Sequence, residues 1–180
     1  MLLAQRRSPA FLAAFAAIFL AVASLFALPG DTLTGSSVRV RAVGPITVEV
    51  YRISHYMEQL PATKSKQAVI DMDTEKRFVL TMLRDVDRES IVKALRDAYA
   101  ANGYTDEPKI ERLMAAFKGD LAKGTEVTIA YDPATKATTI TVGSASATVG
   151  GIDFMKATWR IWFGRIDQPR LGDELIAKLP

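Results

Sequence analysis

The 180-residue chain has no cysteine and only one histidine, His55. Without thiols there are no disulfides, no thiol nucleophile and no thiolate metal site, and a single imidazole is too little for a zinc or iron centre. No metal site is expected. No serine stands in a glycine-flanked nucleophile turn, so the constellation of a triad hydrolase is missing as well. His55 therefore reads as a structural or surface residue. Gly150 and Gly151 lack the third glycine, the lysine and the parallel context of a phosphate-binding turn, which leaves a tight strand-to-helix turn. Asp71, Asp73 and Glu75 have the acidic density of a calcium loop without its glycine or distal glutamate, and read as a strand-entry turn.

A surplus of positive charge is missing too, although the sequence pI of about 9.2 points the other way. Arg6 and Arg7 precede an apolar run from Ala10 to Leu28, interrupted only by Ser24 and closed by Pro29 and Gly30. Residues 1–30 read as an export signal or a retained N-terminal membrane anchor, since the run is marginal between a long signal core and a short span. Ala21, Val22 and Ala23 offer a cleavage site. On either reading the two arginines stay inside and the remainder is exported to the periplasm, with residues 10–28 as the anchor in the inner membrane if they are kept. Setting that segment aside takes 23 basic residues to 21 against 20 acidic ones. No nucleic-acid partner is expected, because a basic face would survive that trimming. Membrane contact is expected only through the N-terminal segment.

With 49% hydrophobic residues the chain can build one core but not two. Asp31 to Ser37 reads as a linker, and the domain as residues 38–180. Period-two patterning comes first, over Val38 to Ala42 and again over Ile46 to Met57, where alternation slips near Arg52 and predicts a bulge. A small helix before Asp71 leads to Lys76 to Val86, apolar on both faces and so a central strand. The period then becomes helical. Asp87 caps a helix carrying Ile91, Leu95 and Ala98 and stopped by Gly103; a second begins at Thr105 or Asp106 with Pro108 in its first turn. Glu126 to Tyr131 and Thr138 to Val142 form a hairpin, with a weaker third strand after them. Helix 152–163 is capped by Asp153 and stopped by Gly164, and a short helix follows around Leu171. On it Trp159 and Trp162 lie on an inward face, as core or cleft wall. Strands then helices then strands then helices predict an α+β fold, an antiparallel sheet with helices gathered on one face.

The stretches ValTyrArgIleSerHisTyrMetGlu at 50–58, PheValLeuThrMetLeuArgAspVal at 78–86, GlyIleAspPheMetLysAla at 151–157 and ArgIleTrpPheGly at 160–164 resemble, in order and spacing, the bacterial chalcone-isomerase-like proteins. The similarity covers roughly residues 33–179. It implies an open-faced β-sandwich, a curved antiparallel sheet under a helical layer with a ligand cleft between them. The enzymes of that fold close a chalcone to a flavanone without a cofactor, while other relatives are fatty-acid-binding proteins.

The family's functional positions fall, by that resemblance, on Arg39 or in the neighbouring register Arg41, on Tyr51 where the enzymes have threonine, on Tyr104, on Lys109 where they have asparagine, and on Ile161 where they have a hydroxyl. Arg39 would hold an anion and Tyr104 would polarise a ketone if catalysis were retained. The three departures remove hydrogen-bond partners worth about 1 kcal/mol or more each, so efficient chalcone cyclisation is not expected. The expected function is an exported, non-catalytic binder of a lipophilic carboxylate such as a fatty acid. The alternatives are a cofactor-independent isomerase acting on an enone, and an envelope interaction module with a filled core.

Overall fold

A computed structural model describes residues 31–180; the expected signal or anchor lies outside them. Six strands form one antiparallel sheet in chain order: β1 (Thr32–Val43), β2 (Ile46–Met57), β3 (Lys76–Met82), β4 (Glu126–Asp132), β5 (Ala137–Val142) and β6 (Ala145–Gly150). Helices interrupt the meander as α1 (Lys66–Asp71) before β3, and α2 (Arg88–Ala101) and α3 (Glu107–Met114) before β4; α4 (Ile152–Phe163) and α5 (Pro169–Leu175) follow β6. This is the α+β arrangement expected, with the helices on one face.

Alternation decides which face is covered. Phe78, Leu80 and Met82 of β3, Val127, Ile129 and Tyr131 of β4 and Ile140 of β5 are buried beneath the helices. The residues between them, such as Arg77, Val79, Thr128 and Thr139, are only half-buried on the open face. Turn chemistry fixes the register: β5 and β6 join through Gly143 and Ser144, with Gly143 at φ +58°, the left-handed conformation that a two-residue hairpin requires. Asp87 and Asp106 cap α2 and α3 as expected, each accepting a backbone N–H three residues on.

α4 is the centre of the helical layer. It buries Phe154, Met155, Ala157, Thr158, Trp159, Ile161, Trp162 and Phe163, so it is apolar around most of its circumference, as a helix enclosed by its neighbours must be. Its N-cap is Gly151, with no side-chain cap. Asp153 does not cap it, because its carboxylate is held by Lys109 and Tyr104 instead.

The segment 31–37 is not a linker. It is the first half of β1, with Thr34, Gly35 and Ser37 buried. Its glycine and serines suit a turn locally, but α5 packs directly on its backbone. A Cβ on Gly35 would stand 2.1 Å from the Glu174 carbonyl oxygen and 2.6 Å from the Leu175 carbonyl carbon, so only glycine permits this approach.

Candidate functional site

Arg39 on β1 stands directly across from Tyr51 on β2, and cross-strand partners project from the same face of a sheet. That face is the one under the helices. Just beyond this pair the ladder shifts register, so β2 carries a bulge there, close to the expected slip. β3 pairs β2 only between Tyr51 and Met57. The part of the β1–β2 hairpin beyond Tyr51 therefore projects past the sheet. Arg41 lies on that arm and is exposed, so the two arginines do not share the site.

The Arg39 side chain is 17% exposed and meets Asp167 at 2.7 Å and the Gln168 amide oxygen at 3.3 Å. Both partners come from the loop joining α4 to α5. Gln168 also accepts from the Val40 N–H at 3.0 Å and donates to the Val38 carbonyl at 2.9 Å. Its carboxamide thus completes the free edge of β1 as a single peptide group would, covering an edge that must otherwise be hydrated.

The Tyr51 hydroxyl accepts a hydrogen bond from the Trp162 indole N–H at 3.0 Å. An indole only donates, so the phenol's own hydrogen must point elsewhere, and among the described residues none accepts it. Burial raises the Tyr51 pKa, the Trp162 bond and the Arg39 charge lower it, and Asp167 raises it again. The phenol therefore stays protonated and available as a donor at neutral pH.

Tyr51 and Trp162 also line an apolar cavity of about 20 Å³. Its floor is Leu80, Met82, Val127, Ile129 and Ile140 of the sheet, and its roof is Ile91 and Leu95 of α2 with Phe117 and Leu121. It has room for roughly one water-sized molecule. The roof is not uniformly fastened. The C-terminal half of α2 is tied to α4 and the loop beyond it, by Tyr99 to Thr158 at 2.8 Å and by Asn102, which exchanges hydrogen bonds with the backbone of Arg165. The N-terminal half is tied to another roof segment, through Arg88 to the Phe117 carbonyl at 2.6 Å and to Asp120.

Tyr104 and Lys109 meet elsewhere. Both bind one oxygen of Asp153, at 3.1 and 2.8 Å. The Tyr104 pKa is raised by burial and by Asp153, while Lys109 holds the Asp153 carboxyl below its usual range. Asp153 and Trp162 lie nine residues apart on α4, about 13 Å along the axis at the ordinary helical rise. The structure therefore groups Arg39 with Tyr51 and Tyr104 with Lys109, but does not bring Arg39 and Tyr104 together. Ile161 is buried in the core and is not part of the cavity wall.

His55 is fully buried. Its Nε2 accepts from the Trp159 indole N–H at 2.9 Å, so the ring proton sits on Nδ1 and is donated to the Thr34 hydroxyl at 2.7 Å. Thr34 in turn donates to the Leu175 carbonyl at 2.7 Å. Burial, then the nearby Lys76 charge, press the His55 pKa well below its usual value. Lys76 is also fully buried and donates to the carbonyls of Val69, Ile70 and Met72 at the end of α1. Three carbonyls match the three hydrogens of an ammonium at a helix C-terminus, although desolvation pushes the pKa down to about 7. Neither residue reaches the cavity, and both serve packing. Asp167, Gln168 and Lys76 went unflagged by sequence reasoning. The only local signal was an acid and an amide in a helix–helix loop.

Among the described residues no group of three or more potential ligands is placed to hold a metal ion, and no helix is long and apolar enough to cross a membrane. A chalcone isomerase-like family model matches residues 30–172. Among solved structures, a fatty-acid-binding protein of Arabidopsis thaliana superposes with a TM-score of 0.67 at 12% identity, covering 82% of this chain and 87% of that one. No curated protein sequence matches significantly. With a sheet, helical layer and interlayer cavity of this form, and a family match over most of its length, the chain belongs to the chalcone isomerase-like family.

Proposed function

We propose that the domain binds an ionised lipophilic acid of the fatty-acid class, its carboxylate between Arg39 and Tyr51 and its chain in the cavity under α2. The observation that carries this reading is the junction at Tyr51. One face of its ring lines an apolar cavity, while its hydroxyl, oriented by Trp162, stands beside a sheltered guanidinium. A carboxylate fits that junction because a guanidinium offers two parallel donors and the phenol a third. A neutral lipid would leave the arginine's charge unmatched. The resemblance in fold to a fatty-acid-binding protein supports the ligand class.

The cavity is too small for an acyl chain as it stands, so binding requires the roof to lift. The N-terminal half of α2 and the Phe117–Leu121 segment, joined through Arg88, would move as one unit about the fixed Tyr99 end. Delipidated protein titrated with dodecanoate in a calorimeter should show saturable binding. Arg39→Ala should weaken it about 10- to 100-fold, the worth of a charge-assisted hydrogen bond.

The small cavity also favours a second reading, an interaction module with a filled core. Absence of dodecanoate binding, together with absence of co-purifying lipid by mass spectrometry, would select that reading. The leader-like residues 1–30 support work outside the cytoplasmic membrane. The intact mass of the protein recovered from cells, with or without those residues, tests cleavage against anchoring.

A further inference from the structure

We infer that Asp167 is a resident counterion that the ligand's carboxylate must displace, so that it sets how tightly the head site takes an acid, while Arg39 supplies the preference for ionised acids over alcohols and esters of the same chain. The inference rests on the ligand reading above and concerns how that same head site is regulated.

The ion pair is asymmetric. The Arg39 side chain is 17% exposed and that of Asp167 is 71% exposed, so the cation is built into the fold and the anion sits over it from solvent. Arg39 is also steadied by Gln168 and by its place across from Tyr51. Among the described residues Asp167 has no second partner: the hydrogen bonds that hold its loop to β1 are made by the Gln168 carboxamide, to Val38 and Val40. The acid can therefore rotate into water while the loop stays docked and the guanidinium stays in place. Asp167 sits on the Arg39 guanidinium at 2.7 Å, the group that an incoming carboxylate would pair with, and its charge raises the Tyr51 pKa.

Exchange of one carboxylate for another leaves the charge on Arg39 matched throughout. An incoming acid gains the Tyr51 hydroxyl and a buried chain, neither of which Asp167 has. An alcohol or ester meets the same displacement and then leaves the charge on Arg39 unmatched, so its disadvantage comes from Arg39 and not from Asp167. The cost to an acid is modest, because a pair with one exposed partner is weak. Competition of this kind lowers the apparent affinity by the fraction of molecules in which the site is open.

The test uses the delipidated full chain, titrated with dodecanoate and with dodecanol. Asp167→Asn keeps the shape and removes the charge. It should bind dodecanoate about three- to fivefold more tightly than wild type, the span of a surface ion pair, and dodecanol should gain by the same factor, because Asp167 stands in the way of either head group while Arg39 alone prefers the anion. The gain for dodecanoate should shrink as salt screens the pair in the wild type, and should vanish in Arg39→Gln/Asp167→Asn, where no cation remains to be freed. Equal or weaker dodecanoate binding by Asp167→Asn, with wild-type binding that depends on Arg39, overturns the counterion role and leaves the ligand reading intact. A gain that persists in the Arg39→Gln background also overturns it, since it would report a loosened loop. Absence of dodecanoate binding by every form overturns both. Asp167→Asn removes one weak ion pair, so a melting temperature lowered by no more than about 2–4 °C is the expected control.

Discussion

Trp159 and Trp162 sit three residues apart on α4, both fully buried, and each donates its indole hydrogen to a polar ring on β2. Beyond that point they differ. The Trp159 chain closes on itself through His55 Nε2, His55 Nδ1–H and the Thr34 hydroxyl to the Leu175 carbonyl, the last residue of α5. Every donor has an acceptor, and the final one is a helix-end carbonyl that would otherwise lack a partner. The Trp162 chain runs to the Tyr51 hydroxyl and stops beside Arg39 and the cavity. A closed relay holds parts of a fold together, whereas an open one presents a donor to something absent. The lone histidine, which the sequence marks as a structural or surface residue, belongs to the closed one and is structural.

The same chemical edit at both positions tests the distinction most severely. Trp159→Phe removes a ring and leaves the His55 acceptor buried without a donor, which costs about 1–3 kcal/mol for the orphaned group in addition to the cavity left by the lost ring. A loss of roughly 2–4 kcal/mol by chemical denaturation is expected, with dodecanoate affinity unchanged in the folded protein. If Trp159→Phe instead weakened the ligand more than the fold, the two relays would not be separable and the assignment would fail.

Acid should attack the closed relay before it reaches the surface ion pairs. His55 has a folded-state pKa well below 6.5, because burial strips the imidazolium of water and the Lys76 charge opposes a second cation. The unfolded chain binds a proton below about pH 6.5 that the folded chain refuses. Above that pH the group contributes no slope; below it, stability falls by about 1.4 kcal/mol per pH unit. The fall continues for as long as the pH stays above the folded-state pKa. Asp71, Asp73, Asp87, Asp132 and Asp153, all held below their usual range in the folded state, lose their contributions only at lower pH. Denaturation curves of wild type and His55→Gln over that window should diverge in slope, and parallel curves would show that His55 is not the group responsible. Above pH 7 any remaining rise of stability with pH belongs to Lys76, whose folded pKa is pushed down to about 7.

These two relays also mark what could be read from sequence. Periodicity and caps are local, so the strand–helix order, the caps Asp87 and Asp106 and the inward face of α4 followed from residues within a turn or two of one another. Arg39 and Tyr51 were accessible only through the resemblance to the chalcone-isomerase-like family, and their pairing across one hairpin is a feature of the structure. The stretch 31–37 was not, because its Gly, Ser and Thr favour a turn and only α5, more than 130 residues later, makes Thr34 an interior residue. Asp167 and Gln168 reach Arg39 across the whole sheet, and no spacing connects them. Lys76 reads as a polar flank to its strand. Its burial is set by the carbonyls ending α1, which exist only once the helix has packed.

The open relay should respond less in stability and more clearly in binding. Trp162→Phe keeps an aromatic wall for the cavity but removes the N–H that fixes the Tyr51 hydroxyl. Tyr51 loses one neutral hydrogen bond, worth about 0.5–1.5 kcal/mol, and its oxygen is left near the cavity, where a small molecule of water can partly replace the donor. Both variants lose a buried ring and its packing, but Trp162→Phe strands no acceptor out of reach of water, so it should cost about 1 kcal/mol less than Trp159→Phe. Without the indole, however, the phenol is free to rotate its hydrogen away from the head position, and dodecanoate affinity should fall about threefold to tenfold, up to the value of that one oriented bond. Tyr51→Phe in the same background should add little further loss, because the donor is already misdirected. Full additivity of the two substitutions by calorimetry would mean that Trp162 acts as a wall alone, and that the Tyr51 hydroxyl does not depend on it for direction.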